Sequence, residues 1–125
     1  MLGTTVEICD HNFLPRFVGR DSVVVDLGAN HGDFSHAMMR RFGCRVVAVE
    51  PVEELFNGIE RDPRLALLPI AVGGRNQTIA MNVFQGRCAS VLGPVMSDKP
   101  VTMQTIEMVT LAELRRRDGW ARSTC

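Results

Sequence analysis

Ser22-Val23-Val24-Val25-Asp26-Leu27-Gly28-Ala29-Asn30-His31-Gly32 joins a β-branched apolar run to a glycine-containing turn. The run is entered from the polar Gly19-Arg20-Asp21 segment and shows no apolar/polar alternation. A continuous apolar run of this length suits a strand buried on both faces, as in a parallel sheet. Beyond the turn, Asp33 to Phe42 carries Phe34, Ala37, Met38 and Phe42 at helical spacing. Asp33 in the first turn, Arg40 and Arg41 in the last and Gly43 as the stop complete a helix signature, since the charges complement the helix dipole.

The pattern then repeats. Arg45 to Glu50 is a second buried strand, and Pro51 is expected to open a short helix reaching Ile59, with Glu53 and Glu54 in its first turn. Arg64 to Ile70 reads as a third apolar strand. Strand, helix, strand, helix, strand is a βαβαβ unit, half of a doubly wound α/β sheet. After Ala71-Val72-Gly73-Gly74 the character changes. Thr78 to Phe84 and Gln104 to Val109 alternate apolar and polar residues, as half-exposed strands do. No helix of crossover length separates them, so they are expected to pair antiparallel at the sheet edge, with a loop from Gln85 to Pro100 between them. Leu111 to Arg117 reads as a final helix ended by Gly119-Trp120. Residues 1–20 read as a lead-in to a single domain spanning 1–125.

Composition narrows the class. With 46% hydrophobic and 22% charged residues, the chain has the makings of a globular core. A formal net charge of zero argues against nucleic-acid binding, which draws on a basic excess. No apolar run approaches the roughly 20 residues of a membrane span, and the first residues lack the basic-then-apolar pattern of a signal peptide. Cys9, Cys44, Cys88 and Cys125 show no C-x-x-C spacing, and His11, His31 and His36 are not clustered with carboxylates, so no metal site is expected. Reduced thiols in a cytoplasmic protein are the corresponding expectation. The methionines read as packing residues, and neither Cys88 nor Ser90 has a base in view that would make it a nucleophile.

Parallel sheets bind ligands at the carboxyl ends of their strands. Three features converge there. Gly28 to Gly32 lets a ligand approach the backbone, and the following helix points its amides outward. Asp26 ends the first strand. Glu50 ends the second, 24 residues after Asp26, where an acid can accept hydrogen bonds from ribose hydroxyls. The dinucleotide pattern G-x-G-x-x-G is not met, because Asn30 stands where the second glycine would approach a pyrophosphate. An acid two residues before Gly28 suits instead a ligand with an ammonium group, such as the methionine part of S-adenosyl-L-methionine. Asn30 also fits the N-cap of the following helix, and His31 reads as an exposed loop histidine with the alternative of a general base.

Asp26-Leu27-Gly28-Ala29-Asn30-His31-Gly32 and Val47-Ala48-Val49-Glu50-Pro51 resemble motifs I and II of class I methyltransferases, and more narrowly the FkbM-type family, with its D-x-G-A-N-x-G and E-P patterns. The resemblance continues through Leu68-Pro69-Ile70-Ala71-Val72-Gly73, Ala89-Ser90-Val91-Leu92 and Val109-Thr110-Leu111-Ala112-Glu113-Leu114, covering about residues 20–114. Ala112 departs from it, standing where the family commonly has an aspartate. The family's I-D-x-E-G segment on a fourth strand has no counterpart before Cys125, so the chain is expected to be a truncated, N-terminal half of a Rossmann-like methyltransferase domain. The resemblance implies S-adenosyl-L-methionine as cofactor and a small-molecule or sugar hydroxyl as methyl acceptor. The implied binding residues are Asp26, Gly28, Ala29, Asn30, Gly32, Glu50, Pro51, Ala71 and Val72, the last two beside the adenine. A catalytically inactive nucleoside-binding module and an NAD-type oxidoreductase are the alternatives. A first strand left without its fourth-strand neighbour would expose an edge able to pair with a second copy.

Overall fold

A computed structural model describes residues 3–84, 88–90 and 101–118. Residues 1–20, read as a lead-in, hold a hairpin. β1 (Val6–Ile8) and β2 (His11–Phe13) pair antiparallel, with Ile8 opposite His11 and Val6 opposite Phe13. Cys9 and Asp10 form the connecting turn, both at positive φ (49° and 64°). Two-residue turns with two positive φ values match the right-handed twist of the strands. A single 3₁₀ turn, Pro15–Phe17, follows.

β3 (Val23–Leu27), β4 (Arg45–Val49) and β5 (Leu65–Leu68) form a three-stranded parallel sheet in the order β3-β4-β5. The fold is therefore mixed α/β, with the parallel sheet read from the valine-rich runs. α1 (Asp33–Phe42) has the predicted bounds and ends on Gly43, which takes φ 66° and returns its N–H to the Met39 carbonyl. The alternating side chains of the strands build two layers. On one face Val46 and Ala48 pack with Met38, Met39, Cys44 and Ile59, joined by Ile8 and Phe13 from the hairpin. On the other, Val47 and Val49 pack with Ile70, Val109 and Leu114. β4 is central and buried along its length after Arg45. β3 has β4 as its only paired neighbour among the described residues, and Val23, Val24 and Val25 remain half-buried.

Two expectations about the middle of the chain are corrected. The third strand is not continuous from Arg64 to Ile70. It divides at Pro69 into β5 and β6 (Ile70–Val72), and β6 joins a different sheet. Proline has no N–H to give to a ladder, so the parallel sheet stops there. The helix after β4 does not start at Pro51. α2 spans Glu53–Gly58 with Val52 extended ahead of it. The cause lies in the flanking hydrogen bonds. The Val52 N–H is taken by Glu50 at 2.9 Å, while Gln104 accepts from the Glu53 N–H at 3.1 Å and donates to the Pro51 carbonyl at 2.6 Å.

The second sheet has the order β6-β9-β7-β8. β7 (Gln77–Phe84) and β9 (Val101–Val109) pair antiparallel from Gln77 opposite Met108 to Phe84 opposite Val101, as their alternation predicts. They do not flank the edge of the parallel sheet, however. β9 also pairs in parallel with β6, which makes this pair the body of a sheet of its own. The loop expected from Gln85 to Pro100 contains β8 (Cys88–Ser90), and β9 begins at Val101, earlier than Gln104. The remainder of that loop, Leu92, the Gly119-Trp120 stop and the chain end lie outside the described residues. α2 covers the second sheet through Val52 and Leu55 on Met81, Val83 and Ile106.

α3 (Leu111–Asp118) is capped by Thr110, whose hydroxyl accepts from the Glu113 N–H at 3.1 Å, and it buries Leu114 completely. Glu113 takes Arg116 at 2.6 and 2.8 Å and Arg117 at 2.9 Å, and Arg117 reaches on to Glu107 of β9 at 2.7 and 2.8 Å. The hydrogen bonds from Arg116, then those from Arg117, hold the Glu113 carboxyl down at about 2 from an ordinary 4.5. Because the folded pKa is depressed, this stabilisation is complete above the unfolded pKa and is lost as pH falls through the folded one. Chemical denaturation between pH 5 and about 2 should therefore show stability falling with acidification, and Glu113→Gln should flatten that dependence.

Candidate functional site

The turn after β3 is tied back onto the sheet by one carbonyl. The Gly28 and Ala29 N–H groups both donate to the Val49 oxygen, at 3.0 and 2.9 Å, so the chain folds over the end of β4. Gly28, Asn30 and Gly32 all take left-handed conformations, with φ 81°, 55° and 82°. Glycine has no Cβ penalty there, and asparagine tolerates the region better than most residues. The two glycines differ in surroundings. A Cβ at Gly32 would lie 2.8 Å from Ile59 Cγ2, whereas one at Gly28 would meet no atom within 4 Å. Gly32 is thus a packing glycine, and Gly28 leaves its open side to the cavity. The reading of Asn30 as N-cap is corrected: Gly32 holds that position, its carbonyl accepting from the His36 N–H at 3.0 Å, and no side chain caps α1.

The two acids are buried and bound. Glu50, 4% exposed, accepts from the Asn30 N–H at 2.7 Å through one carboxylate oxygen and from the Val52 N–H at 2.9 Å through the other. Asp26, 8% exposed, accepts from the Ser35 hydroxyl at 2.6 Å, and Ser35 is fully buried in the first turn of α1. Asp26 therefore joins β3 to α1, and Glu50 joins the glycine turn to the start of α2. Each carboxylate oxygen has two acceptor directions, so both acids keep capacity for further donors.

A cavity of about 300 Å³ opens over the turn, at the lower end of the size range of small-molecule sites. Asp26, Gly28, Ala29 and Asn30 line it together with His31, Asp33, Phe34, Cys9 and His11. Of the other residues read as site residues, Glu50 touches this group through Asn30, and Gly32 lies behind it. Pro51 presents its carbonyl to Gln104. Ala71 packs against the α2-side cluster and Val72 against the cluster around Val109, so both side chains are held in the core. Cys9 and His11 were missed as lining residues. Their signal was the alternation of Val6-Glu7-Ile8 and His11-Asn12-Phe13 around a two-residue turn, masked because Cys9-Asp10 lacks the glycine that usually marks it.

Among the described residues, no three or more His, Cys, Asp or Glu side chains are grouped to hold a metal ion, and no helix is long and apolar enough to cross a membrane. Comparison with family models, curated proteins and solved structures finds no match to the chain.

The contrast between the two glycines gives a direct test. Gly32→Ala should lower stability by about 2 kcal/mol or more, combining left-handed strain with overpacking against Ile59. Gly28→Ala should cost only the strain, about 1–2 kcal/mol. Urea denaturation of the two variants measures the difference, and equal losses would contradict the assignment of Gly32 to packing.

Proposed function

We propose that this chain binds S-adenosyl-L-methionine in the manner of a Rossmann-like class I methyltransferase and serves methyl transfer to a hydroxyl of a small-molecule acceptor. The observation that carries the proposal is the placement of two buried acids, Asp26 and Glu50, at the ends of adjacent parallel strands with an open-sided glycine turn between them. The sequence resemblance to FkbM-type methyltransferases supplies the identity of the ligand and the preference for an oxygen acceptor.

The residues present fit such a ligand. Gly28 leaves room for close approach, because nothing occupies the space a side chain would fill. Asp26 lines the cavity and offers a negative charge to an ammonium group. The first turn of α1, where no side chain caps the helix, faces a carboxylate favourably. Glu50 retains acceptor directions for ribose hydroxyls, and Ala71 and Val72 are the residues proposed to lie beside the adenine. When bound, S-adenosylmethionine supplies a methyl group activated by the sulfonium charge. The chain's own contribution is then alignment of acceptor and donor at near-attack distance. Cytoplasmic location is part of the same proposal.

Calorimetric titration with S-adenosylhomocysteine tests the reading. Binding should be observed and should resist displacement by NAD, and Glu50→Ala should weaken it by about 1.5–3 kcal/mol, the range for hydrogen bonds to a charged group. No binding, or displacement by NAD, would overturn the proposal. Methyl transfer to hydroxylated acceptors separates an active enzyme from a binding module without turnover.

A second copy of the chain is the partner proposed for β3. Its outer side is unpaired among the described residues, Leu27 is 53% exposed, and Val23–Leu27 contains neither the lysine nor the proline that protects an edge. Sedimentation should show concentration-dependent dimers that Leu27→Lys shifts to monomer. A wild-type monomer at all concentrations would refute the pairing.

A further inference from the structure

The hairpin ahead of the parallel sheet is held in place at both ends. His11 lies against Phe34 at a ring separation of 4.6 Å, Phe13 against Phe42 at 5.9 Å, and Ile8 and Phe13 enter the core beneath them. These contacts lay β2 along α1 and bring the Cys9-Asp10 turn over the end of β3. Both turn residues are non-glycine residues in the left-handed region, a conformation that persists only where the surroundings hold it. Cys9 is exposed and lines two adjoining cavities. One is the space above Asp26 and the glycine turn. The other, of about 570 Å³, runs past His36, Arg40 and Glu60. His31 and Asp33 border both.

We propose that the β1–β2 turn is the outer wall of the ligand site, with Cys9 and His11 closing the end that receives an α-amino-acid group. This rests on the cofactor reading above and adds to it a wall from a part of the chain outside the strand-end motifs. The chemistry of the wall agrees with a zwitterionic group. Asp26 and Asp33 face an ammonium, the imidazoles of His11 and His31 offer hydrogen bonds, and Phe34 supplies an apolar side for the carbon chain. Cys9 stands at the border with the larger cavity, where its size limits how far that end of a ligand extends.

The test is iodoacetamide labelling of the full chain, followed by peptide mass spectrometry, with and without saturating S-adenosylhomocysteine. Cys9 should be labelled readily in the free protein and about tenfold more slowly in the complex, as expected for a side chain covered by ligand at high occupancy. Buried Cys44 reports global opening, so a ligand effect at Cys9 beyond that at Cys44 is local. Cys9→Trp should weaken binding about tenfold or more by filling the cavity, with the melting temperature of the free variant confirming that it folds. Binding that leaves Cys9 labelling unchanged would overturn the wall assignment while leaving the cofactor reading intact. No binding by the wild-type chain would overturn both.

Discussion

The site depends on a single buried carboxylate. Glu50 is removed from water at the end of the central strand, a position that would be costly for an unpaired charge. Both of its oxygens are satisfied by backbone N–H groups from different connections, Asn30 before α1 and Val52 before α2. Charge-assisted bonds of this kind are stronger than neutral ones. One side chain thus sets the spacing of two loops, reaching 20 residues back along the chain for one bond and two residues forward for the other. It also binds the N–H of Asn30, which takes a left-handed conformation. The Val49 carbonyl, one residue earlier, takes two further amides of the same turn. Turn geometry is in this way over-determined by the last two residues of one strand region.

That constraint extends outward through the layers. With Val52 drawn back to Glu50, the helix can begin only at Glu53, and Gln104 from the second sheet closes the same junction. α2 is then seated on β7 and β9 instead of on the parallel sheet. The opposite end of the site is organised by Asp26 and Ser35, which fasten the end of β3 to α1, while α1 carries the hairpin on its aromatic side chains. The cavity is the space these attachments leave open.

Much of this arrangement was legible in the residues. The valine runs of β3 and β4 have one natural reading, and α1 was bounded correctly because Asp33, the terminal arginines and Gly43 are all local signals. The acids and Gly28 were legible because their place at strand ends follows from the strand assignments. What escaped depended on contacts between distant segments. Pro51 looks like a helix start by local rules and is overruled by Glu50 and Gln104. Arg64 to Ile70 reads as one strand because the apolar run continues through Pro69, although the missing N–H matters more than the hydropathy. The alternation around Cys9-Asp10 marks a hairpin, but its lining of the cavity required knowing that Phe34 and Phe42 face it.

Pro69 has a mechanical consequence. β5 and β6 are consecutive along the chain yet belong to different ladders, and the residue between them cannot donate to either. A joint of this kind passes on rotation but not register. If β7 and β9 slid by a residue, the error would travel into β6 and end at the proline, leaving the alignment of β3, β4 and β5 untouched. The ladder of β3, β4 and β5 is insulated from register faults in the outer sheet, much as an expansion gap isolates one span of a bridge from the next, and the outer sheet reaches the strand ends only through side chains such as Gln104.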